Sequence, residues 1–587
     1  MDFHALLIEL KEKYTQVRKL LDTDDKIIDE TKPYKNKYAA INILKEMQNS
    51  LLEQSNNVVK EENDVNTLLA IISLNLGIVY VETEELKLGE EYFINCIDNL
   101  SENEILPQRI IPMISALNQL GIIWSQRNQA SMSKTFLERA ENIYKDFINI
   151  NKEPINMSTL FLIKLIDEQE PKLVLEKLHT LTLYYLAQIY GTLEDYLKSA
   201  IYCHMTLSRQ LEYKDFESID WSLNAATLSQ FFLEKECFSQ AKHYLSAATY
   251  ILENYQNTLT TIETDVENEE TAAKLENYKH RSADISRCWI KYGILLLSAS
   301  KERLLIKSEN DNEQEEMKKC EIDKNCLINL QFTTIEKNIE TIANEITDNY
   351  LLDFSDAKLI FFKINEWIDS AKQYYSLENH ASDYVQLIQD QSQAYKDLAF
   401  FHNDEGQQAK MHKRRIDMLE DVLKELHETY YQSSCRQIWM ELGETYSEIL
   451  DIKLDRLQAT DERPTANMLK KINNLTASAI KNFEKFIDSL KSSKIFIENN
   501  KFPDEMIRPV LSAYFHCGRL YNKFITPDKQ QQLENVQKSY SAYSFLVNYC
   551  ERDSNAKDLM AVELSVCKDF VKLLPLKISK LKLEINH

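Results

Sequence analysis

The segment WMELGETY, residues 439–446, carries the pattern from which the fold is predicted. Trp439, Leu442, Gly443 and Tyr446 are spaced so that all four lie on one face of an α-helix. A glycine on that face has no Cβ, so a second helix can pack very close to the first. The segment is therefore typical of the first helix of a two-helix repeat.

The same pattern recurs in six other segments: 76–96, 117–140, 183–206, 225–248, 289–296 and 514–521. Apolar residues occupy repeat positions 4, 7 and 11, and a small residue occupies position 8. Position 8 holds five of the eight glycines, Gly77, Gly121, Gly293, Gly443 and Gly518, while Gly89 is at position 20. We predict an all-α, tetratricopeptide-like (TPR-like) solenoid of helical hairpins, with Trp439 and these glycines in the seams.

The repeats are irregularly spaced, which predicts long helices or intervening loops. Position 8 falls at residues 77, 121, 187 and 229, and the resulting spacings of 44, 66 and 42 residues exceed the usual unit of about 34. Polar or proline-bearing stretches at 53–66, 151–175 and 307–325 are expected to be loops. We predict an N-terminal TPR-like subdomain (1–306), an acidic loop (307–325) and a C-terminal TPR-like subdomain (326–587).

Composition excludes several classes of partner. With 92 acidic and 69 basic residues the net charge is −23, so nucleic acid and anionic membranes are poor partners and a basic protein surface is a good one. No apolar run approaches the roughly 18 residues of a membrane span, so no membrane insertion is expected. The ten cysteines are scattered without a CxxC pair, which indicates free thiols and a cytoplasmic location.

Catalytic and cofactor motifs are missing from the sequence. It contains no GxGxxG, HExxH or GxSxG, so no enzyme activity, metal, cofactor or small-molecule substrate is expected. The basic patch KMHKRR, 410–415, is interpreted as a solvated helix face, with contact to an acidic partner as the alternative. The residues alone indicate a protein-binding scaffold and do not name its partner.

Several longer words, in this order, resemble the KIF-binding protein family, also called the kinesin-binding protein family. They are PYKNKYAA (33–40), LYYLAQIY (183–190), YCHMTLSRQLE (202–212), NAATLSQFF (224–232), RCWIKY (287–292), KMHKRRIDMLE (410–420) and KKINNLTASAIKNF (470–483). The resemblance implies a curved, right-handed solenoid in two halves without enzymatic activity. It also implies binding to the motor domains of a subset of kinesins, blocked microtubule attachment, and roles in axon growth, cytoskeletal organisation and organelle transport.

The resemblance assigns a motor-binding groove to Tyr185, Gln188, Gln210 and Thr227. Tyr185 and Thr227 are at position 6 of their repeats and Gln188 is at position 9, away from the seam positions, so a concave location is expected. Tyr185 is expected to anchor a bound helix. The alternatives are ordinary polar surface residues, or a co-chaperone clamp for acidic peptide ends, which would require lysine and arginine at these places.

Overall fold

The computed structural model describes residues 3–24, 34–55, 62–163, 169–262, 269–309, 330–459, 464–492, 496 and 500–586. Within these residues the regular elements are α-helices and one 3₁₀ turn, Asp504–Met506. The helices are α1 Phe3–Asp24, α2 Lys35–Ser55, α3 Glu62–Glu82, α4 Leu86–Leu100, α5 Ile110–Gln126, α6 Ala130–Ile150, α7 Met157–Leu160, α8 Pro171–Thr192, α9 Tyr196–Tyr213, α10 Ser218–Glu234, α11 Phe238–Ile262, α12 Glu269–Glu309, α13 Glu336–Asn344, α14 Phe354–Lys372, α15 Ala381–Phe400, α16 Glu405–Glu425, α17 Gln432–Ala459, α18 Ala466–Lys491, α19 Ile507–Tyr521, α20 Lys529–Arg552, α21 Ser554–Leu559 and α22 Ala561–Asn586. The all-α helical-hairpin prediction is confirmed.

Four hairpins share one turn between their two helices. The residue at position 15 is left-handed in each: Glu84, Asn128, Glu194 and Glu236, with φ of 66°, 58°, 62° and 53°. The next N–H donates to the carbonyl at position 11, as in Glu85 to Tyr80 at 2.8 Å and Asp195 to Tyr190 at 2.9 Å. This bond caps the first helix. The turn therefore has the same geometry in the hairpins whose position 8 is not glycine.

Small residues at positions 8 and 20 bring the two helices of a hairpin into contact. The Ser133 hydroxyl donates to the carbonyl of Gly121 at 2.7 Å, and Ser199 donates to the carbonyl of Ala187 at 2.8 Å. A Cβ built at Gly77 would lie 2.5 Å from the Phe93 ring. Larger residues at these positions would force the helices apart.

The segment around Gly293 pairs differently from the other repeats. A Cβ at Gly293 would meet Ile364 of α14 at 2.5 Å, and Trp289 stacks on Trp367 of α14 with centroids 5.2 Å apart. The helix that packs on Gly293 is therefore α14, and not α13, which follows α12 in the sequence. The 41-residue length of α12 lets it pack on both α14 and α15.

Helix contacts divide the chain into two units, and their boundary differs from the predicted one. Unit 1 comprises residues 1–231 and 324–336, and unit 2 comprises 232–323 and 337–587. The predicted boundary at 306 is later because α12 has the repeat pattern but packs within unit 2. Phe332, which follows the predicted acidic loop, is buried against Trp221 of unit 1 with centroids 5.1 Å apart.

The predicted loops are shorter than expected or lie outside the described residues. Of 53–66, the flanks belong to α2 and α3, and 56–61 lie outside; of 307–325, residues 307–309 end α12 and the rest lie outside. The stretch 151–175 includes α7, the start of α8 and the fully buried Phe161, which stacks on Tyr14 at 4.4 Å, whereas 164–168 lie outside. Apolar anchoring within a polar segment explains that difference.

One described helix contradicts the expectation that no apolar run is long enough to cross a membrane. The 18-residue window Val65–Glu82 of α3 has a mean hydropathy of 1.6, and 72% of it is buried inside the structure. Buried core helices pass the same test by length and composition. The window was missed because Asn66, Thr67 and Asn75 interrupt its apolar run.

The basic patch KMHKRR is only partly a solvated face. Arg415 is 1% exposed, and it donates to Ser392 of α15 at 3.0 Å and to Glu448 of α17 at 2.5 Å. His412 lies 3.0 Å from the same guanidinium, and burial lowers the pKa of His412 to about 4. One arginine of α16 thus joins three consecutive helices, while Arg414 is exposed.

We predict that Arg415→Met lowers the free energy of unfolding by on the order of 3 kcal/mol. Glu441 and Glu448 then lose the buried guanidinium, and Lys396 remains as a cation beside Glu448. Arg414→Met is the matched control and should change it by less than about 0.5 kcal/mol. Urea unfolding followed by circular dichroism measures both. Equal midpoints for the two variants would contradict the assigned network.

We also predict that Gly443→Ala is destabilising, although alanine is the better helix former. The added Cβ would lie 2.7 Å from the ring of Phe483, which is fully buried and cannot move away, at a cost of about 1–3 kcal/mol from overpacking. Gly191→Ala is the control, because its Cβ would meet only Ser199 Oγ at 3.4 Å. Thermal unfolding should separate the two variants, and a midpoint of Gly443→Ala at or above that of the parent would refute the seam.

Candidate functional site

A cleft of about 430 Å³ opens between α8, α9 and α10 of unit 1. Its walls are formed by Tyr184, Ala187, Gln188 and Gly191 of α8, by Tyr196, Ser199, Ala200, Cys203, Thr206, Leu207 and Gln210 of α9, and by Asn224, Thr227, Leu228 and Phe231 of α10. Three of the four residues assigned to a groove from the sequence, Gln188, Gln210 and Thr227, are therefore brought together here.

Seam contacts determine which residues of α8 face the cleft. Leu183, Leu186 and Tyr190 are buried, so the alternate face, with Tyr184 and Gln188, is left exposed. On the opposite wall, the Trp221 indole N–H donates to the carbonyl of Leu207 at 3.1 Å. That buried bond ties α10 to α9, so both walls of the cleft are built on firmly packed helices.

The polar groups of the cleft are available to a ligand. Gln188 and Thr227 are exposed and Gln210 is half-buried. Within the described part of the chain, the side chains of these three residues form no hydrogen bond. Two amides and a hydroxyl can both donate and accept, so the cleft can pair with backbone or side-chain groups of either kind.

Tyr185, expected to be the aromatic anchor, does not line the cleft. It is half-buried and packs against the apolar cluster that includes Leu137 and Tyr190, and this burial raises the pKa of its hydroxyl. Its neighbour Tyr184 is 43% exposed and lines the cleft. The two rings meet edge to face with centroids 5.3 Å apart, so Tyr185 supports the ring that a ligand would touch.

Sequence reasoning missed three aromatic residues of the cleft. Tyr184, Tyr196 and Phe231 line it together with the polar groups. Tyr184 could have been found because it is at position 5, one helical turn before Gln188 on the same face. Phe231 could have been found in the same way, because it follows Thr227 by one helical turn. Tyr196 is the first residue of α9, before the repeat positions that were used to assign faces.

The cleft is electrically neutral, in contrast to the chain as a whole. None of its fifteen lining residues carries a charge, and burial raises the pKa of the Cys203 thiol, which therefore stays protonated. Charges appear in an adjoining cavity of about 180 Å³, which shares Tyr184, Thr206 and Gln210 with the cleft. That cavity includes Arg209 and the ion-paired Lys177 and Asp215. The cleft suits a surface that is apolar with some amide or hydroxyl groups.

Comparison with known proteins places the chain in one family. Residues 219–581 match the family described as KIF-1 binding protein C terminal. The KIF-binding protein of Gallus gallus is 35% identical over 98% of this chain and 97% of its own length, and that of Drosophila melanogaster is 34% identical over 99% and 98%. The KIF-binding protein of Homo sapiens is 35% identical over 94% of each chain.

Solved structures agree with the sequence relatives. A structure titled "Kinesin binding protein (KBP)" is 31% identical, covers 96% of this chain and 98% of its own, and has a TM-score of 0.62. A second, titled "Cryo-EM map of KIFBP", is 27% identical, covers 98% and 99%, and has a TM-score of 0.65. The chain therefore belongs to the KIF-binding protein family.

Proposed function

We propose that this chain is a non-catalytic adaptor that binds the motor domains of a subset of kinesins and keeps them from attaching to microtubules. The names of its relatives support kinesin as the partner. The observation that carries the site is the neutral cleft in which Tyr184, Gln188, Gln210 and Thr227 converge. By this proposal the protein regulates microtubule-based transport, cytoskeletal organisation and axon growth from the cytoplasm, in association with the cytoskeleton.

The occupant we propose is an α-helix of the motor domain. A cleft between helices with apolar walls and a few polar groups is the usual receptor for the apolar face of another helix. Tyr184 supplies exposed aromatic area at its rim, held in place by Tyr185. Gln188, Gln210 and Thr227 then bind polar groups that flank that face, which gives the contact its direction.

Charge has a separate role in this proposal. A motor surface that binds acidic tubulin is basic, and the chain carries a net charge of −23. Opposite charges raise the rate of encounter, and this effect decreases as salt is added. Because the cleft itself is uncharged, the complex once formed should dissociate at a rate that depends little on salt.

We predict that Tyr184→Ala/Gln188→Ala abolishes motor binding while preserving the fold, because both side chains are exposed and neither fills a seam. Kinesin motor domains are mixed with microtubules and sedimented. The parent protein should hold the motor in the supernatant, and the double variant should let it pellet. Tyr430→Ala is the control, since Tyr430 is 81% exposed in unit 2, and it should act like the parent.

Tyr185→Ala distinguishes direct contact from support. It should weaken motor binding less than Tyr184→Ala and should also lower the thermal midpoint, because Tyr185 is packed against the apolar cluster. Equal release of the motor by parent and double variant would refute the cleft assignment. If no motor in a broad kinesin panel binds the parent, the function is refuted as well, and a chaperone-binding scaffold becomes the better hypothesis.

A further inference from the structure

The C-terminal helix α22 has two apolar stripes, and unit 2 covers only one of them. The inner stripe, Leu564, Cys567, Val571, Leu574, Ile578 and Leu581, packs on the core of unit 2. The outer stripe lies two residues earlier or later along the helix and consists of Val562, Val566, Leu573, Leu576 and Leu583, which are 80%, 42%, 59%, 69% and 63% exposed. Exposed apolar area concentrated on one helix face in this way marks an interaction surface.

The outer stripe has the spacing of a coiled-coil seam. Val562, Val566, Leu573, Leu576 and Leu583 follow alternating steps of three and four residues, provided that Asp569 and Lys580 fill the two remaining places. Asp569 and Lys580 are both exposed. The stripe therefore offers apolar side chains interrupted by one acid and one base.

The residues of the outer stripe are arranged symmetrically about a point between Leu574 and Pro575, so that the two halves of the stripe can pair with each other. In an antiparallel pair related by a two-fold axis, residues at equal distances from the axis face each other. Leu573 then faces Leu576, Asp569 faces Lys580, and Val566 faces Leu583. Each pair occurs twice, so one register matches four of the five apolar residues of the stripe with apolar residues and matches Asp569 with Lys580, while Val562 lies beyond the paired region.

We propose that α22 is a homodimer interface, in which the outer stripe pairs antiparallel with the same stripe of a second copy of this chain. This goes beyond the proposed function, because it concerns a different unit and a different partner. The stripe is presented by a helix fixed to its surroundings: Arg508 binds Glu563 at 3.0 Å near its start, and Lys529 binds Glu584 at 2.6 Å near its end. Little ordering is therefore needed before pairing.

Charges beside the stripe predict an unusual salt dependence. Residues 566–583 include five lysines and one aspartate, so two copies of the helix repel each other except at the Asp569–Lys580 pairs. Added salt screens that repulsion, and apolar pairing should become stronger. Binding of the same lysines to anionic lipid or to an acidic protein would instead become weaker with salt.

The first test is the mass of the full chain by light scattering or sedimentation, at micromolar and higher concentrations. The parent should approach twice the 68.8 kDa of one chain as its concentration rises, and more readily at high salt. Leu576→Asp should remain at the single-chain mass with an unchanged thermal midpoint. Ser579→Asp is the matched control, because Ser579 is exposed on the same helix but outside both stripes, and it should dimerise like the parent.

The second test uses charge reversal to check the register. Asp569→Lys alone and Lys580→Asp alone should each be monomeric, because like charges then face each other in both of the 569–580 pairs of the dimer. An equimolar mixture of the two variants should recover the double mass, and so should a chain carrying both changes. A parallel pair, in which 569 faces 569 and 580 faces 580, would also recover in the mixture, but in the chain carrying both changes it would keep like charges facing each other, so dimerisation of that chain identifies the antiparallel register.

The outcomes divide cleanly between support and refutation. A parent that stays at the single-chain mass at every concentration and salt overturns the proposal, as does a parent dimer that Leu576→Asp leaves intact. Flotation of the monomer with vesicles of anionic lipid, lost at high salt, would assign the stripe to a membrane surface and also overturn it. Because α22 lies outside the cleft, loss of dimerisation should leave motor capture unchanged, so each proposal fails independently of the other.

Discussion

The contact between position 8 of one helix and position 20 of the next is the constraint on which each hairpin depends. The carbonyl oxygens of Gly121 and Ala187 accept hydrogen bonds from the hydroxyl groups of Ser133 and Ser199, and these bonds require nearly touching backbones. Only small residues permit it. When the two helices are this close, the large side chains at positions 4, 7 and 11 pack in the seam between them, as Leu183, Leu186 and Tyr190 do.

This constraint also explains where the cleft residues point. Position 6 of a first helix faces the preceding hairpin. Tyr185 at position 6 of α8 therefore packs on the cluster containing Leu137 of α6, while Thr227 at position 6 of α10 faces α8 and α9 and lines the cleft. Positions 5 and 9 of α8, Tyr184 and Gln188, face the following hairpin, and so they meet Thr227 across the cleft. Position 6 is therefore packed in α8 and open to the cleft in α10, because the preceding hairpins differ.

The sequence predicted the fold class and the hairpins whose position 8 holds glycine, and also the two with Ala187 and Ser229 at that position. Glycine was informative because it occurs only eight times. The sequence did not predict the hairpins α1/α2 and α15/α16, in which α1, α2 and α15 contain no glycine. Its boundary at 306 also differs from the division by helix contacts, since packing partners of a 41-residue helix depend on distant segments. Burial of Arg415 beside exposed Arg414 was equally hidden, because the carboxylates that bind it come from another helix.

Sequence reasoning assigned Tyr185, Gln188, Gln210 and Thr227 to one groove. The structure brings Gln188, Gln210 and Thr227 together in the cleft, and the tyrosine that lines it is Tyr184 rather than Tyr185. Adjacent residues differ by about 100° around a helix, so the repeat register alone does not decide which of the two tyrosines faces the cleft. The packing of the neighbouring hairpins decides it. The neutrality of the cleft was not predicted either, since net charge says nothing of where charges lie. In an acidic chain, a neutral cleft separates two tasks. The surrounding field acts on a basic partner at a distance, whereas the fit of apolar and amide groups determines how long that partner stays.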